Sequence, residues 1–137
     1  MSAQTLINTL ADTARVAGRT LTVATGAQRK AALQTIADAI EARSAEILAA
    51  NEKDMAAGRL ANLNSSLLDR LLLTPERVKG IAGGARLVSE LPDPLGITLR
   101  KSTLSNGIEL EQISVPFGVI GMVYEARPNV TVDAAVI

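Results

Sequence analysis

Residues 117–124, Phe-Gly-Val-Ile-Gly-Met-Val-Tyr, set the tightest limit on what this chain can fold into. The run is nearly continuous in apolar character, so as a strand it has no water-facing side. A strand of that kind is stable when both faces are covered, as in a parallel sheet flanked by helices. Parallel neighbours are reached through crossovers of about a dozen residues or more. The chain carries one such run, and the helical pattern after it, starting around Thr131, reaches Ile137 without a cap or turn signal. The sequence is therefore expected to be the N-terminal part of a longer protein, with the other strands of the sheet elsewhere. The competing expectation is a complete small helix-rich domain.

Upstream, about ninety residues read as helices. Leu6, Leu10, Ala14, Ala17 and Leu21 recur at helical spacing, with Ile7 widening the stripe and Gly18 weakening it. Thr25 and Gln28 have the spacing of a capping box for a second helix, whose apolar face is Leu33, Ile36, Ala37 and Ile40. Ser44 is expected to cap a third, with Ile47, Leu48 and Met55 inward and Gly58 as its stop. Asn64 or Ser65 opens a short fourth helix with Leu67, Leu68, Leu71 and Leu72. Thr74-Pro75 opens a fifth, because a capping hydroxyl precedes a proline whose missing N–H does no harm at the first helical position. It carries Val78, Ile81, Ala82, Ala85 and Val88 and ends before Pro92-Asp93-Pro94.

Ile97–Leu104 and Ile108–Val115 then read as an antiparallel hairpin around Ser105-Asn106-Gly107. A two-residue Asn-Gly turn would mix the faces by setting Arg100 against Ile113. A three-residue loop with left-handed Gly107 pairs Leu104 with Ile108, Lys101 with Glu111, Leu99 with Ile113 and Ile97 with Val115, and is the predicted form.

Composition closes several routes. The 14 basic residues balance 14 acidic ones and no segment is strongly basic, which disfavours nucleic-acid partners. Cysteine and histidine are absent, so disulfides, thiolate or imidazole metal sites, a cysteine nucleophile and a histidine base are excluded within these residues. No apolar run approaches the ~20 residues of a membrane span, and Met1-Ser2-Ala3-Gln4 does not begin a signal peptide, so a cytoplasmic location is expected. With Phe117 and Tyr124 the sole aromatics, the core must be aliphatic and rich in alanine.

Chemistry is expected where the apolar run ends. In open α/β sheets ligands bind beyond the carboxyl ends of strands, and helix N-termini present free N–H groups to anions. Arg127 lies between the two with a donor fork suited to phosphate or carboxylate, and Pro128 restricts its backbone. Asn129 has two readings, ligand donor and plain helix cap; Glu125 has two, orienting Arg127 and lining a pocket. The plain alternative for Arg127 is a surface ion pair. Gly118 and Gly121 lie within the run rather than after it, so they are read as close-packing positions and not as a dinucleotide fingerprint.

The stretch Gly118-Val-Ile-Gly121 through Tyr124-Glu-Ala-Arg-Pro-Asn-Val-Thr-Val-Asp133 resembles the gamma-glutamyl phosphate reductase family of the aldehyde dehydrogenase superfamily. Arg29-Lys30-Ala31, Ala50-Asn51-Glu52-Lys53-Asp54 and Ser105-Asn106-Gly107 are similar too, so the resemblance covers essentially the whole chain. It implies an α/β fold of aldehyde dehydrogenase type, present here as helices, an antiparallel hairpin and the first strand of a parallel cofactor-binding sheet. Residues 1–95 would be the helical part of the cofactor domain, 96–115 an oligomerisation arm and 116–137 the start of the Rossmann-like sheet.

The implied reaction is NADPH-dependent reduction of gamma-glutamyl phosphate to glutamate 5-semialdehyde and phosphate, in proline biosynthesis. In that family a cysteine attacks the acyl phosphate and the resulting thioester accepts hydride. With no cysteine here, the nucleophile must lie beyond Ile137 and these residues alone are expected to be inactive. The resemblance assigns Arg127 to substrate, with Asn129 the second substrate candidate from its own reading, and Val123, Tyr124 and Glu125 to the cofactor, mainly through their backbone. It implies a homo-oligomer and assigns no metal. Two alternatives stand beside it. One is a relative acting on a free aldehyde or a thioester, favoured if Arg127 lies in solvent far from any pocket. The other is a non-catalytic helical interaction module.

Overall fold

Capping chemistry decides where most of these helices begin. The structure, a computed structural model, describes residues 2–125 and 127–137. Helix α1 (Ala3–Thr22) starts after Ser2, whose hydroxyl accepts the Thr5 N–H. α2 (Gly26–Ala42) starts directly after Thr25. α4 (Ser65–Leu71) is capped by the Asn64 side chain on the Leu67 N–H, and α5 (Pro75–Ser89) by Thr74 on the Arg77 N–H with Pro75 in its first turn. All four boundaries follow from local sequence signals.

Two expected signals fail at α3 (Ser44–Leu60). Ser44 is not its cap. Arg43, whose N–H still closes the α2 ladder on Ala39 O at 3.0 Å, holds that position, and its guanidinium, a donor only, makes no side-chain cap bond. Its guanidinium reaches forward to Glu46 instead. Gly58 is not the stop either. The left-handed residue is Asn62, at φ 55°. Leu63 N–H returns to Gly58 O and Asn62 N–H to Arg59 O, the paired bonds of a Schellman ending. Gly58 is buried within the helix, where an added Cβ would meet Leu63, Leu68 and Leu71 methyl groups at 3.1, 3.2 and 3.3 Å. Its small size lets α4 approach α3.

Two compact units are present. One comprises Met1–Gly26 and Pro92–Gly121, the other Ala27–Leu91 and Met122–Ile137. In the second, Ala37, Ala82, Ala85 and Val136 form a buried cluster, with Leu33, Ile40, Val88 and Val132 packed round it. Alanines at the centre let α5 and α6 (Pro128–Val136) come close, with Ala37 of α2 in the same cluster. Arg86 of α5 spans to Glu41 and Asp38 of α2, and Lys30 to Glu90 at 2.7 Å. Both staples hold α2 to α5. The Arg86 guanidinium keeps the Glu41 carboxyl below its ordinary range, and Lys30 does the same for Glu90.

In the first unit, β1 (Thr98–Thr103) and β2 (Glu109–Ile113) form a two-stranded antiparallel sheet. Leu104 N–H donates to Ile108 O at 2.8 Å, Lys101 faces Glu111 and Gly107 has φ 87°, as the three-residue loop predicts. Further from the turn the predicted register fails. Leu99 does not face Ile113, nor Ile97 Val115. The ladder shifts between Thr98 and Arg100, so Ile113 faces Thr98. Ser114 is the cause: its hydroxyl accepts the Ile97 N–H at 3.0 Å and donates to Pro94 O, fixing Ile97 opposite Ser114.

The segment 117–124, expected as a strand, carries no ladder among the described residues. Among the described residues the only strands are β1 and β2, which pair with each other. Gly118 takes φ 89°, outside the strand region, and open space surrounds both Gly118 and Gly121, so no close packing occurs there. Phe117 and Val123 are fully exposed. The α1 stripe is exposed as well: α1 has no buried residue. α6 begins at Pro128, three residues before Thr131, because proline at the first helical position is already set for a helix. No described helix is long and apolar enough to cross a membrane.

Candidate functional site

A cleft of about 430 Å³ opens in the second unit, between the α4–α5 junction and the start of α6. Asp69 and Arg70 come from α4, Arg77, Gly80 and Ile81 from α5, and Arg127, Asn129 and Asp133 from α6 and its N-cap position. The Asn64 and Thr74-Pro75 signals thus shape one wall, and the Arg127-Pro128 corner the other.

The α4–α5 wall is tied down at two points. Asn51, on α3 and 4% exposed, donates to Leu71 O and accepts the Leu73 N–H, both at 2.8 Å. Arg77 donates to the Asp69 and Leu72 carbonyls and to the Asp69 carboxylate. Its two terminal nitrogens are engaged on the wall and its charge is met by Asp69. Arg70 and Arg127 differ. Each presents a guanidinium that makes no ion pair among the described residues. On the same cleft, Asn129 donates to Asp133 Oδ2 at 2.9 Å.

The two residues predicted for substrate, Arg127 and Asn129, therefore come together on one cleft. Arg127 is exposed but lines the cleft, and it is not the surface ion pair of the plain reading. Asn129 is not the cap of α6. It sits inside the helix and its amide orients Asp133. Val123, Tyr124 and Glu125 are exposed and do not line the cleft; the Tyr124 hydroxyl bonds that of Thr131. Glu125 and Arg127 form no ion pair, so the orienting role considered for Glu125 is not seen. Ala126, inside the signature stretch, lies outside the described residues. Sequence reasoning missed Arg70, Arg77 and Asp133. Asp133 closes the signature and stands at i+4 from Asn129, a usable signal, whereas Arg70 reaches the cleft only through the α4–α5 junction. No group of three or more acidic, histidine or cysteine residues able to hold a metal occurs among the described residues.

The helices and the hairpin match solved structures. The crystal structure of a Thermotoga maritima protein superposes with a TM-score of 0.88 at 34% identity, over 92% of this chain and 30% of that one. One from Saccharomyces cerevisiae gives 0.87 at 33%, over 99% of this chain and 34% of that one. The fold is thus that of the N-terminal part of a reductase, with the helices and the antiparallel hairpin both present. Both proteins are gamma-glutamyl phosphate reductases, and so is a Kineococcus radiotolerans relative, 53% identical over 124 residues. The chain resembles gamma-glutamyl phosphate reductase along 90% of its length and spans about 29% of that relative. No family model matches the chain.

Proposed function

We propose that this chain is part of an enzyme that reduces L-glutamate 5-phosphate to L-glutamate 5-semialdehyde and phosphate with NADPH, in proline biosynthesis. The observation that carries the reading is 53% identity over 124 residues to a gamma-glutamyl phosphate reductase. The cleft supports it, because unspent guanidinium groups suit an anionic acyl phosphate.

Arg127 holds an anionic oxygen of the substrate through paired N–H donors. Asn129 contributes by fixing Asp133 across one helical turn. Val123, Tyr124 and Glu125 lie in a segment whose backbone is not engaged in a ladder, which fits a cofactor contact made through main-chain groups. When bound there, NADPH supplies hydride. The nucleophilic cysteine belongs to a segment outside these residues, since none of the 137 is cysteine. The hairpin 96–115 acts as an oligomerisation arm of a homo-oligomer, a role suited to its exposed Leu99, Leu110 and Ile113. The enzyme works in the cytoplasm.

The reverse reaction tests the reading in the full-length protein that contains this chain. Glutamate 5-semialdehyde, inorganic phosphate and NADP+ should give acyl phosphate, NADPH and a proton, with a rate that requires phosphate. Oxidation that proceeds without phosphate, or that needs a thiol acceptor, would assign the protein to a relative acting on free aldehydes or thioesters.

A further inference from the structure

We propose that the cleft recognises the amino-acid end of its substrate through Asp133 and Arg70, leaving Arg127 for the phosphorylated end. The assignment rests on the function proposed above and extends it to residues of α4 and α6.

The argument is an inventory of unspent charge. Six polar or charged residues line the cleft, but several are already committed. Arg77 and Asp69 neutralise one another, and Arg77 also caps two carbonyls. What remains is two cations, Arg70 and Arg127, and one anion, Asp133. Asp133 has one oxygen occupied by the Asn129 amide, which orients the carboxylate without neutralising it. L-Glutamate 5-phosphate carries a matching set: a carboxylate, an ammonium and an acyl phosphate. A simple dianion would leave Asp133 facing like charge, which selects against it.

Position assigns the ends. Arg127 adjoins residues 123–125, the proposed cofactor segment, and stands at the positive end of α6, so it takes the reacting phosphate. Asp133 lies six residues further along, a rise of about 9 Å. That offset keeps the two from neutralising each other and puts the ammonium acceptor away from the reacting end. Arg70, in the last turn of α4, is the other cation without an ion pair among the described residues and takes the carboxylate.

L-Glutamate and glutarate, which differ at this end by the ammonium group, are the probes. Calorimetric titration of the full-length protein should show L-glutamate binding and a preference for it over glutarate. Asp133→Asn keeps an acceptor for Asn129 and should weaken L-glutamate roughly tenfold or more while glutarate is unchanged or tighter, and Asp133→Glu should recover most of the loss. Arg70→Met should weaken both ligands alike. Wild-type protein that does not bind L-glutamate, or an Asp133→Asn protein that keeps the preference or loses both ligands equally, overturns the assignment. Semialdehyde turnover, measured in parallel, judges the reductase reading separately: discrimination with no turnover removes that reading and leaves the amino-acid recognition standing.

Discussion

Replacing Asn51 with leucine, a side chain of similar size, removes the tie between α3 and the cleft wall. Asn51 is 4% exposed and satisfies two backbone groups, Leu71 O and Leu73 N–H. Leaving a buried polar group unpaired costs about 1–3 kcal/mol. Both orphaned groups belong to half-buried residues, so water recovers part of the loss, and the expected net destabilisation is about 2–4 kcal/mol. Urea denaturation of the chain should report that loss, and hydrogen exchange should report its place, with the Leu73 amide losing protection first. Asn51→Asp sharpens the test. It keeps an acceptor for Leu73 N–H but sets a carboxylate against Leu71 O, so Leu73 should stay protected while stability still falls. An Asn51→Leu midpoint equal to wild type, with Leu73 exchange unchanged, would refute the reasoning.

Other consequences are simpler. Gly58→Ala gains about 1 kcal/mol of helix propensity but presses a methyl against three leucine side chains, an overpacking cost of about 1–3 kcal/mol, so denaturation should show a net loss near 1 kcal/mol. Glu41 and Glu90 are held below their ordinary range by Arg86 and Lys30. Their contribution is present above the unfolded carboxylate pKa and is lost as pH falls through the lower folded values. Acid titration followed by circular dichroism should therefore show stability declining on the acid side of the carboxylate range, and Arg86→Met should flatten that decline.

What the sequence reveals here follows the range of the forces involved. Asn64 and Thr74-Pro75 mark their helices correctly because a cap acts within three residues. Gly58 misleads because a glycine near a helix end serves equally as a stop or as a point of close approach, and only α4 distinguishes the two. The hairpin register is legible beside the turn, where Gly107 sets it. It is lost at Leu99, where Ser114 reaches back to Pro94. Residues 117–124 announce an apolar strand, but a strand is a property of its neighbours. The signature draws attention to Arg127 and Asn129, which the structure sets on one cleft. Arg70 was not legible, because its place on the cleft depends on the α3 tie at Asn51 and on the α4–α5 turn.

The most direct check on the account is the Arg127→Ala variant of the full-length protein in the phosphate-dependent oxidation of glutamate 5-semialdehyde. Loss of a charge-assisted anion contact should lower kcat/KM roughly a hundredfold, about 2.7 kcal/mol, with NADP+ affinity unchanged. Kinetics indistinguishable from wild type would remove Arg127, and the cleft with it, from the substrate site.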